Sequence, residues 1–163
     1  MKDKIKKTNA ARELDKFGVE YEILTYEVDL EDLSARHVAK ATGQNITQIY
    51  KTIVCVANTK EHIVACISGE RELDLKALSK ASGVKSCELV AINELEKLTG
   101  YIRGGCSPLA MKRKFRTFID KAALEFDSII ISAGIRGKQL VVEPRALAKV
   151  VEAEFAAICH EMI

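Results

Sequence analysis

Hydrophobic and polar positions along the chain follow two different periods. In residues 9–17 the apolar side chains recur at helical spacing, with Thr8 or Asn9 placed to cap the start and Gly18 placed to end the segment. Residues 21–28 instead alternate apolar and polar side chains, which is the period of a strand. The two periods together predict helices over residues 9–17, 34–41, 75–81, 93–98 and 144–151, and strands over residues 21–28, 53–57, 63–68, 87–90, 117–120, 128–132 and 138–143.

The order of these segments favours one fold class. Residues 53–57 and 63–68 are β-rich runs separated by a short polar stretch that suits a hairpin loop, and both faces of the first run are apolar, as in a covered central strand. The strands therefore group into hairpins and do not alternate strictly with helices. This arrangement predicts an α+β fold with a mixed, largely antiparallel, barrel-like sheet flanked by helices.

Composition limits the classes of protein further. The chain has 163 residues, of which 48% are hydrophobic and 29% charged, and its only prolines are Pro108 and Pro144. We therefore expect one folded domain spanning residues 1–163, neither disordered nor embedded in a membrane. The formal net charge is +2, so a nucleic-acid partner has to be argued from local basic runs and not from bulk charge.

The cysteines indicate the redox environment. Their number is odd and no CxxC pair is present, which argues against a disulfide framework and against a zinc site. The N-terminal residues are basic but are followed by no apolar segment, so the sequence predicts no secretory signal. Both features favour the cytoplasm. The cysteines are Cys55, Cys66, Cys87, Cys106 and Cys159.

Lys51 is the first candidate for chemistry. Alternation along its strand places it on the same face as Ile53 and Cys55, so its ammonium group would lie at the mouth of an apolar strand face. The alternative is a lysine at a strand end that extends to water.

Two glycine-containing loops are further candidates. Gly104 and Gly105 let the backbone approach a ligand and turn its N–H groups toward a negatively charged oxygen, and Ser107 is placed to cap a turn that Pro108 begins. Residues 132–137 combine spaced glycines with a serine and an arginine, a pattern that can hold a phosphate or a ribose. An ordinary tight turn and a plain hairpin are the alternatives for the two loops.

The densest basic run lies just after the first of these loops. Cations interleaved with aromatic residues can follow a nucleic-acid backbone, and a solvated basic surface is the alternative. No histidine has an acidic or cysteine partner at ligand spacing, and no Walker A or Rossmann fingerprint is present, so we predict no metal and no cofactor. The run comprises Lys112, Arg113, Lys114 and Arg116, with Phe115 and Phe118 between and after them.

In combination, the motifs resemble the YbaK/EbsC family of aminoacyl-tRNA deacylases, which is related to the editing domain of bacterial prolyl-tRNA synthetases. They span nearly the whole chain in one order, which makes the combination far more specific than any single motif. The motifs are Thr25-Tyr26, Tyr50-Lys51-Thr52, Leu73-Asp74-Leu75-Lys76, Thr99-Gly100-Tyr101, Gly104-Gly105-Cys106-Ser107-Pro108-Leu109, Leu124-Glu125-Phe126 and Ser132-Ala133-Gly134-Ile135-Arg136-Gly137.

The resemblance implies hydrolysis of a wrongly attached amino acid from tRNA, typically cysteine from the proline acceptor. It also implies that Lys51 contacts the terminal adenosine or the ester, and that the loop containing Gly104 and Gly105 directs N–H groups at the ester carbonyl. Cys106, Ala133 and Ile135 depart from the family's usual residues, which bears on substrate choice. Candidate substrate-binding residues are Tyr26, Tyr101, Cys106, Ser107, Pro108, Ser132 and Gly134, and candidate tRNA-binding residues are Lys112, Arg113, Lys114 and Arg136.

The chemistry of deacylation agrees with these residue types. The reaction passes through a tetrahedral oxyanion, which backbone N–H groups and a nearby cation stabilise. The sequence shows no protein nucleophile with a base beside it. This agrees with the family resemblance, which implies that the substrate's own thiol or a positioned water attacks.

Mischarged tRNA is the expected partner, and prolyl-tRNA synthetase is a candidate second partner. Two alternatives stay open at this point. The chain could deacylate another mischarged tRNA, such as an alanyl or seryl one, or it could be a non-catalytic module that holds aminoacyl-tRNA or a synthetase.

Overall fold

The computed structural model describes residues 7–161, and the basic residues 2–6 considered above lie outside this range. Every predicted helix is present, and side chains cap the N-terminal ends of the first three. Thr8 accepts a hydrogen bond from the N–H of Ala11, and Asp74 caps the third helix by accepting from Lys76 and Ala77. The helices are α1 (Asn9–Lys16), α2 (Ala35–Thr42), α3 (Leu75–Ser82), α4 (Ile92–Thr99) and α5 (Pro144–Val151).

The strands form two sheets. The first sheet is antiparallel and has the order β1-β7-β6, whereas the second has the order β4-β2-β3-β5-β8 and is mixed. In the second sheet β2 pairs antiparallel with β3 and β4, while β5 runs parallel to both β3 and β8. The strands are β1 (Tyr21–Thr25), β2 (Tyr50–Ala57), β3 (His62–Ser68), β4 (Cys87–Leu89), β5 (Arg116–Asp120), β6 (Ile129–Ser132), β7 (Lys138–Val142) and β8 (Glu154–Ala156).

These sheets confirm the predicted α+β class, the hairpin of β2 with β3 and the central place of β2. The barrel-like shape is only approximate, because the two sheets do not close into one hydrogen-bonded barrel. They meet at a single parallel bridge between Ile49 and Ile130. None of the helices described is long and apolar enough to cross a membrane.

The ends and the number of the strands differ from the sequence prediction, and β2 begins at Tyr50 and not at residue 53. β1 ends at Thr25 and not at residue 28, because its partner β7 begins at Lys138, directly after a turn in which Gly137 has a φ of 91°. β8 was not predicted, since it is a three-residue edge strand that pairs only with the distant β5.

Buried side chains form three clusters around these sheets. The largest lies between the sheets and beneath α1 and α5, with Leu14, Ile131 and Leu147 fully buried. A second cluster fills the space between the outer face of the second sheet and α3. The smallest contains Val38 of α2 with Ile49 and Ile130, so it joins α2 to the bridge between the sheets.

The C-terminal segment is held by one buried carboxylate. Asp120 is 4% exposed at the end of β5, and its two oxygens accept hydrogen bonds from the N–H of Ile158 at 3.0 Å and of Ala122 at 3.2 Å. The bond to Ile158 fixes the chain that follows β8 over the second cluster.

We predict that Asp120→Ala lowers the free energy of unfolding by about 2–3 kcal/mol, because two backbone donors lose a charged acceptor in a buried place. Chemical denaturation followed by circular dichroism measures the change. Asp127→Ala removes an exposed carboxylate of the same region and serves as the matched control. Equal stability of the two variants would show that Asp120 does not hold the C-terminal segment.

Candidate active site

A cavity of about 620 Å³ opens beside the start of β2. Its lining comes from α2 and the loop before it, from Arg103, Gly104 and Cys106, and from Ser132 at the end of β6 and Gln139 near the start of β7. Helix α2 packs closely against the chain after β3 because Gly69 has no side chain. A Cβ on Gly69 would lie 2.5 Å from the Cβ of Ala35. Four of the predicted site residues line the cavity, namely Lys51, Gly104, Cys106 and Ser132.

Lys51 lies on the central strand β2, opposite Ile67 of β3. It is half-buried, and within residues 7–161 its ammonium group forms no ion pair or side-chain hydrogen bond. Ile53 and Cys55, which share its strand face, pack in the second cluster, so the apolar face predicted from alternation is present. The cation is therefore positioned by a rigid strand and is available to a ligand in the cavity.

The loop of residues 100–108 presents backbone N–H groups. The N–H of Gly105 donates to the carbonyl oxygen of Ile102 at 2.9 Å, and Gly104 takes a left-handed φ of 85°. In the described part of the chain, the N–H groups of Gly104, Cys106 and Ser107 donate to no other group. The turn thus occupies the N–H of Gly105 and leaves its neighbours available as donors.

Two glycines allow this loop to pack against the loop between β6 and β7. A Cβ on Gly105 would lie 3.2 Å from the backbone nitrogen of Arg136, and a Cβ on Gly134 would lie 2.9 Å from the ring of Tyr101. Arg136 also donates from its Nε to the carbonyl oxygen of Arg103 at 2.8 Å. Gly105, Gly134 and Arg136 therefore set the shape of the cavity wall.

Hydrogen bonds of Tyr101 and Ser107 with the backbone of Leu109 stabilise the loop of residues 100–108. The Tyr101 hydroxyl donates to the carbonyl oxygen of Leu109, and the Ser107 hydroxyl accepts from the N–H of Leu109 at 3.2 Å. Ser107 is fully buried. Neither residue lines the cavity, and both fix the path of the chain that does.

Cys106 lines the cavity with a protonated thiol. Its side chain is 9% exposed, and burial raises the pKa of the thiol to about 12. A thiol with this pKa carries almost no thiolate at neutral pH, and thiolate is the nucleophilic form. No histidine lines the cavity, so Cys106 also lacks an adjacent base.

Ser132 and Gln139 form a polar patch on the cavity wall. They are directly opposite each other in the β6–β7 pairing, at 8% and 4% exposure. The Ser132 hydroxyl accepts from the N–H of Gly134, whereas the Gln139 carboxamide bonds to no residue in the described range. Gln139 was missed from the sequence; the available signal was one amide among the apolar residues of a predicted strand.

Two of the predicted substrate-binding residues, Tyr26 and Pro108, do not line this cavity. Tyr26 packs in the smallest cluster, with its ring at a T-shaped 6.1 Å from that of His37. Pro108 borders a separate depression together with Arg113 and Lys114. Their assigned roles in binding remain predictions.

The basic run is exposed. Lys112 lies against Gly100, with its Cγ 3.2 Å from the position of a Cβ there. Lys114 pairs with Glu152 at 2.6 Å, and both side chains are more than half exposed. Such a pair contributes little to stability, so Lys114 is free to exchange Glu152 for another anion.

The described residues include no group of three or more histidine, cysteine or acidic side chains that could hold a metal ion. The Nε2 atom of His37 lies 3.1 Å from the carbonyl oxygen of Glu27, and the Nδ1 atom of His160 lies 3.7 Å from Oδ2 of Asp74. The cavity lining contains the cations Arg36, Lys51 and Arg103, the Asp32 carboxylate, backbone donors and neutral polar side chains.

Comparison with known proteins assigns this arrangement to a family. Residues 33–150 match the aminoacyl-tRNA editing domain family. The chain is also 43% identical over 152 residues, covering 93% of both proteins, to an Enterococcus faecalis protein named "Putative Cys-tRNA(Pro)/Cys-tRNA(Cys) deacylase EbsC". The chain belongs to the aminoacyl-tRNA editing domain family, as the motifs predicted.

More distant relatives share the fold. An Escherichia coli K12 protein named "Multifunctional Ser/Thr-tRNA deacylase ProXp-y" is 23% identical, with 86% of this chain and 85% of that protein aligned. A crystal structure of "a putative trans-editing enzyme for prolyl tRNA synthetase" superposes with a TM-score of 0.78 at 21% identity, covering 94% of this chain and 99% of the other. A hypothetical protein of known structure superposes with a TM-score of 0.86, also at 21% identity, covering 94% and 100%.

Proposed function

We propose that this protein is a trans-editing hydrolase that removes a wrongly attached amino acid from tRNA, with Cys-tRNA(Pro) as its main substrate. The observation that carries the proposal is the cavity whose lining includes Lys51, Gly104 and Cys106. In the described range, the ammonium group of Lys51 and the backbone N–H groups of Gly104 and Cys106 are unpaired. The identity of 43% to a relative named as a cysteinyl-tRNA deacylase supports the choice of amino acid.

The donors and the cation of the cavity suit the negative charge that develops on the ester oxygen during deacylation. Attack on the ester carbonyl converts it to a tetrahedral intermediate with a negatively charged oxygen, and N–H groups already aimed at that oxygen stabilise it without reorganisation. One such donor is worth roughly 3–4 kcal/mol of transition-state stabilisation. Lys51 adds a positive charge on the strand beside them.

The attacking group comes from outside the protein. Cys106 is a neutral thiol without a base, and the cavity lining contains no histidine. With a cysteinyl ester, the substrate sulfur bonds to the carbonyl carbon, the carbon–oxygen bond to the ribose breaks, and the thiol proton passes to the ribose oxygen. Water then opens the resulting cyclic thioester to free cysteine. A bound water that attacks the same carbon is the second route.

Deacylation of a seryl or threonyl ester is the second candidate function. The free carboxamide of Gln139 and the hydroxyl of Ser132 present neutral polar atoms that suit a substrate hydroxyl as well as a thiol. The Escherichia coli relative is named for this substrate class. A panel of mischarged tRNAs, assayed for amino-acid release, separates the two functions, and release from none of them would identify a binding module.

The proposed reaction also suggests the compartment in which the protein acts. Mischarged tRNA is made and used in the cytoplasm, where we propose that the protein acts. Prolyl-tRNA synthetase is the proposed protein partner, because it supplies the wrongly acylated tRNA.

We predict that Lys51→Ala abolishes deacylation of Cys-tRNA(Pro) and leaves the fold intact, because the ammonium group makes no internal bond in the described structure. Release of labelled cysteine measures activity, and circular dichroism checks the fold. Lys80→Ala removes an exposed cation from α3 and is the matched control. A Lys51→Ala protein with the wild-type rate would refute the assignment.

We predict that Cys106→Ala keeps most of the activity, because a thiol with a pKa of about 12 is not a nucleophile at neutral pH. A Cys-tRNA substrate blocked at sulfur should resist hydrolysis if the substrate thiol attacks. An inactive Cys106→Ala variant together with cleavage of the blocked substrate would assign the nucleophile to the protein. An active Cys106→Ala variant together with cleavage of the blocked substrate would identify water as the attacking group.

We predict that reversing Lys112 and Arg113 to Glu weakens tRNA binding and flattens its dependence on salt. Removing one cation that neutralises a phosphate reduces the slope of log affinity against log salt by about one. Filter binding with uncharged tRNA at several salt concentrations measures both quantities. Unchanged affinity and slope would place the tRNA on another surface.

A further inference from the structure

The same tripeptide occurs in both loops of the cavity wall. Ile102-Arg103-Gly104 lies in the first loop and Ile135-Arg136-Gly137 in the second, and both glycines have a left-handed φ, of 85° and 91°. In each copy the isoleucine is exposed, at 45% and 44%. Arg103 lines the cavity, and Ile135 borders an adjoining depression that also contains Tyr101 and Gly134. We call Ile102, Arg103, Ile135 and Arg136 the isoleucine–arginine rim.

The two halves of the rim are attached to each other. Arg136 donates from its Nε to the carbonyl oxygen of Arg103 at 2.8 Å. The absent side chain of Gly104 leaves room for this contact, since a Cβ there would lie 3.4 Å from the same Nε. The rim is therefore continuous with the loop that provides the N–H donors.

Charge around the opening is mainly positive. Arg36, Lys51 and Arg103 line the cavity, and Asp32 is the single carboxylate among its lining residues. The Asp32 carboxylate is already an acceptor for the N–H of Ser34 at 3.1 Å. The opening thus favours an anionic ligand that also covers aliphatic surface.

Resting on the proposed function, we infer that the isoleucine–arginine rim binds the unpaired 3′-terminal nucleotides of the tRNA. Arginine attracts phosphates and its planar group stacks on bases, and the exposed isoleucines supply apolar surface against base faces. The ribose ester of the last nucleotide then enters the cavity beside Lys51.

The basic run of residues 112–114 does not provide this surface. Arg113 and Lys114 border the separate depression next to Pro108, and Lys114 is paired with Glu152. The rim also suits a nucleic acid better than a protein, because specific protein interfaces bury about 800 Å² on each partner. Four side chains beside a cavity mouth provide much less.

The test compares substrates that differ only in the nucleotides before the terminal adenosine. We expect the double variant Arg103→Ala, Ile135→Ser to lower kcat/KM roughly tenfold on Cys-tRNA(Pro) and on a cysteinyl-CCA trinucleotide, because it removes one phosphate contact and one stacking surface. Cysteinyl-adenosine lacks those nucleotides, so its hydrolysis should stay within about twofold of wild type by the same reasoning.

Matched controls remove the same chemical groups elsewhere. Arg145→Ala takes an exposed guanidinium group from α5, and Ile92→Ser takes an isoleucine that is 68% exposed at the start of α4. Neither residue lines the cavity, and neither variant should change any of the three rates. Circular dichroism verifies that the double variant is folded.

Three results would overturn the inference: equal loss on cysteinyl-adenosine, no loss on the longer substrates, or loss of synthetase binding with CCA binding intact. The last would identify the rim as a protein-docking surface. Binding of a fluorescent CCA trinucleotide that carries no amino acid tests the rim independently of the proposed reaction. If wild-type protein hydrolyses no ester, the reaction is wrong, and weaker CCA binding by the double variant still supports the rim.

Discussion

The cavity depends on the close contact between two loops that come from different sheets. Residues 100–108 precede β5 of the second sheet, and residues 133–137 connect β6 and β7 of the first. Where the loops meet, a Cβ on Gly105 would lie only 3.2 Å from the backbone nitrogen of Arg136. The Arg136 guanidinium group also donates a hydrogen bond to the first loop. A larger residue at Gly105 would separate the loops and move the backbone donors away from Lys51.

The remaining walls follow from the position of β2. As the central partner of β3 and β4, this strand is fixed along most of its length, and the bridge between Ile49 and Ile130 attaches its beginning to the other sheet. Lys51 therefore occupies a rigid element between two sheets. Packing of α2 beside Gly69 closes another side of the cavity.

Burial and charge in the site are consistent with catalysis by electrostatic stabilisation. Burial keeps the Cys106 thiol neutral, so the wall offers hydrogen-bond donors and a cation but no strong protein nucleophile. An enzyme of this kind depends on the substrate or on water for the attack. In the proposed reaction, selectivity depends on the neutral polar atoms of Ser132 and Gln139, which line the cavity, and on how the ester is presented.

The sequence by itself determined the local elements and the family. Helix ends such as Asp74 and the hairpin of β2 with β3 were predictable, because their hydrogen bonds join residues a few positions apart. Lys51 and the Gly104 loop could be proposed as site residues because their motifs are contiguous, and Lys51 and Gly104 line one cavity. Only the tertiary structure decided which of the motifs meet. The parallel pairing of β5 with β3 and β8, and the orientation of Gln139 into the cavity, depend on contacts between distant segments. Period and spacing carry no information about such contacts, so the placement of Tyr26 and of the basic run outside the cavity could not be read from the chain.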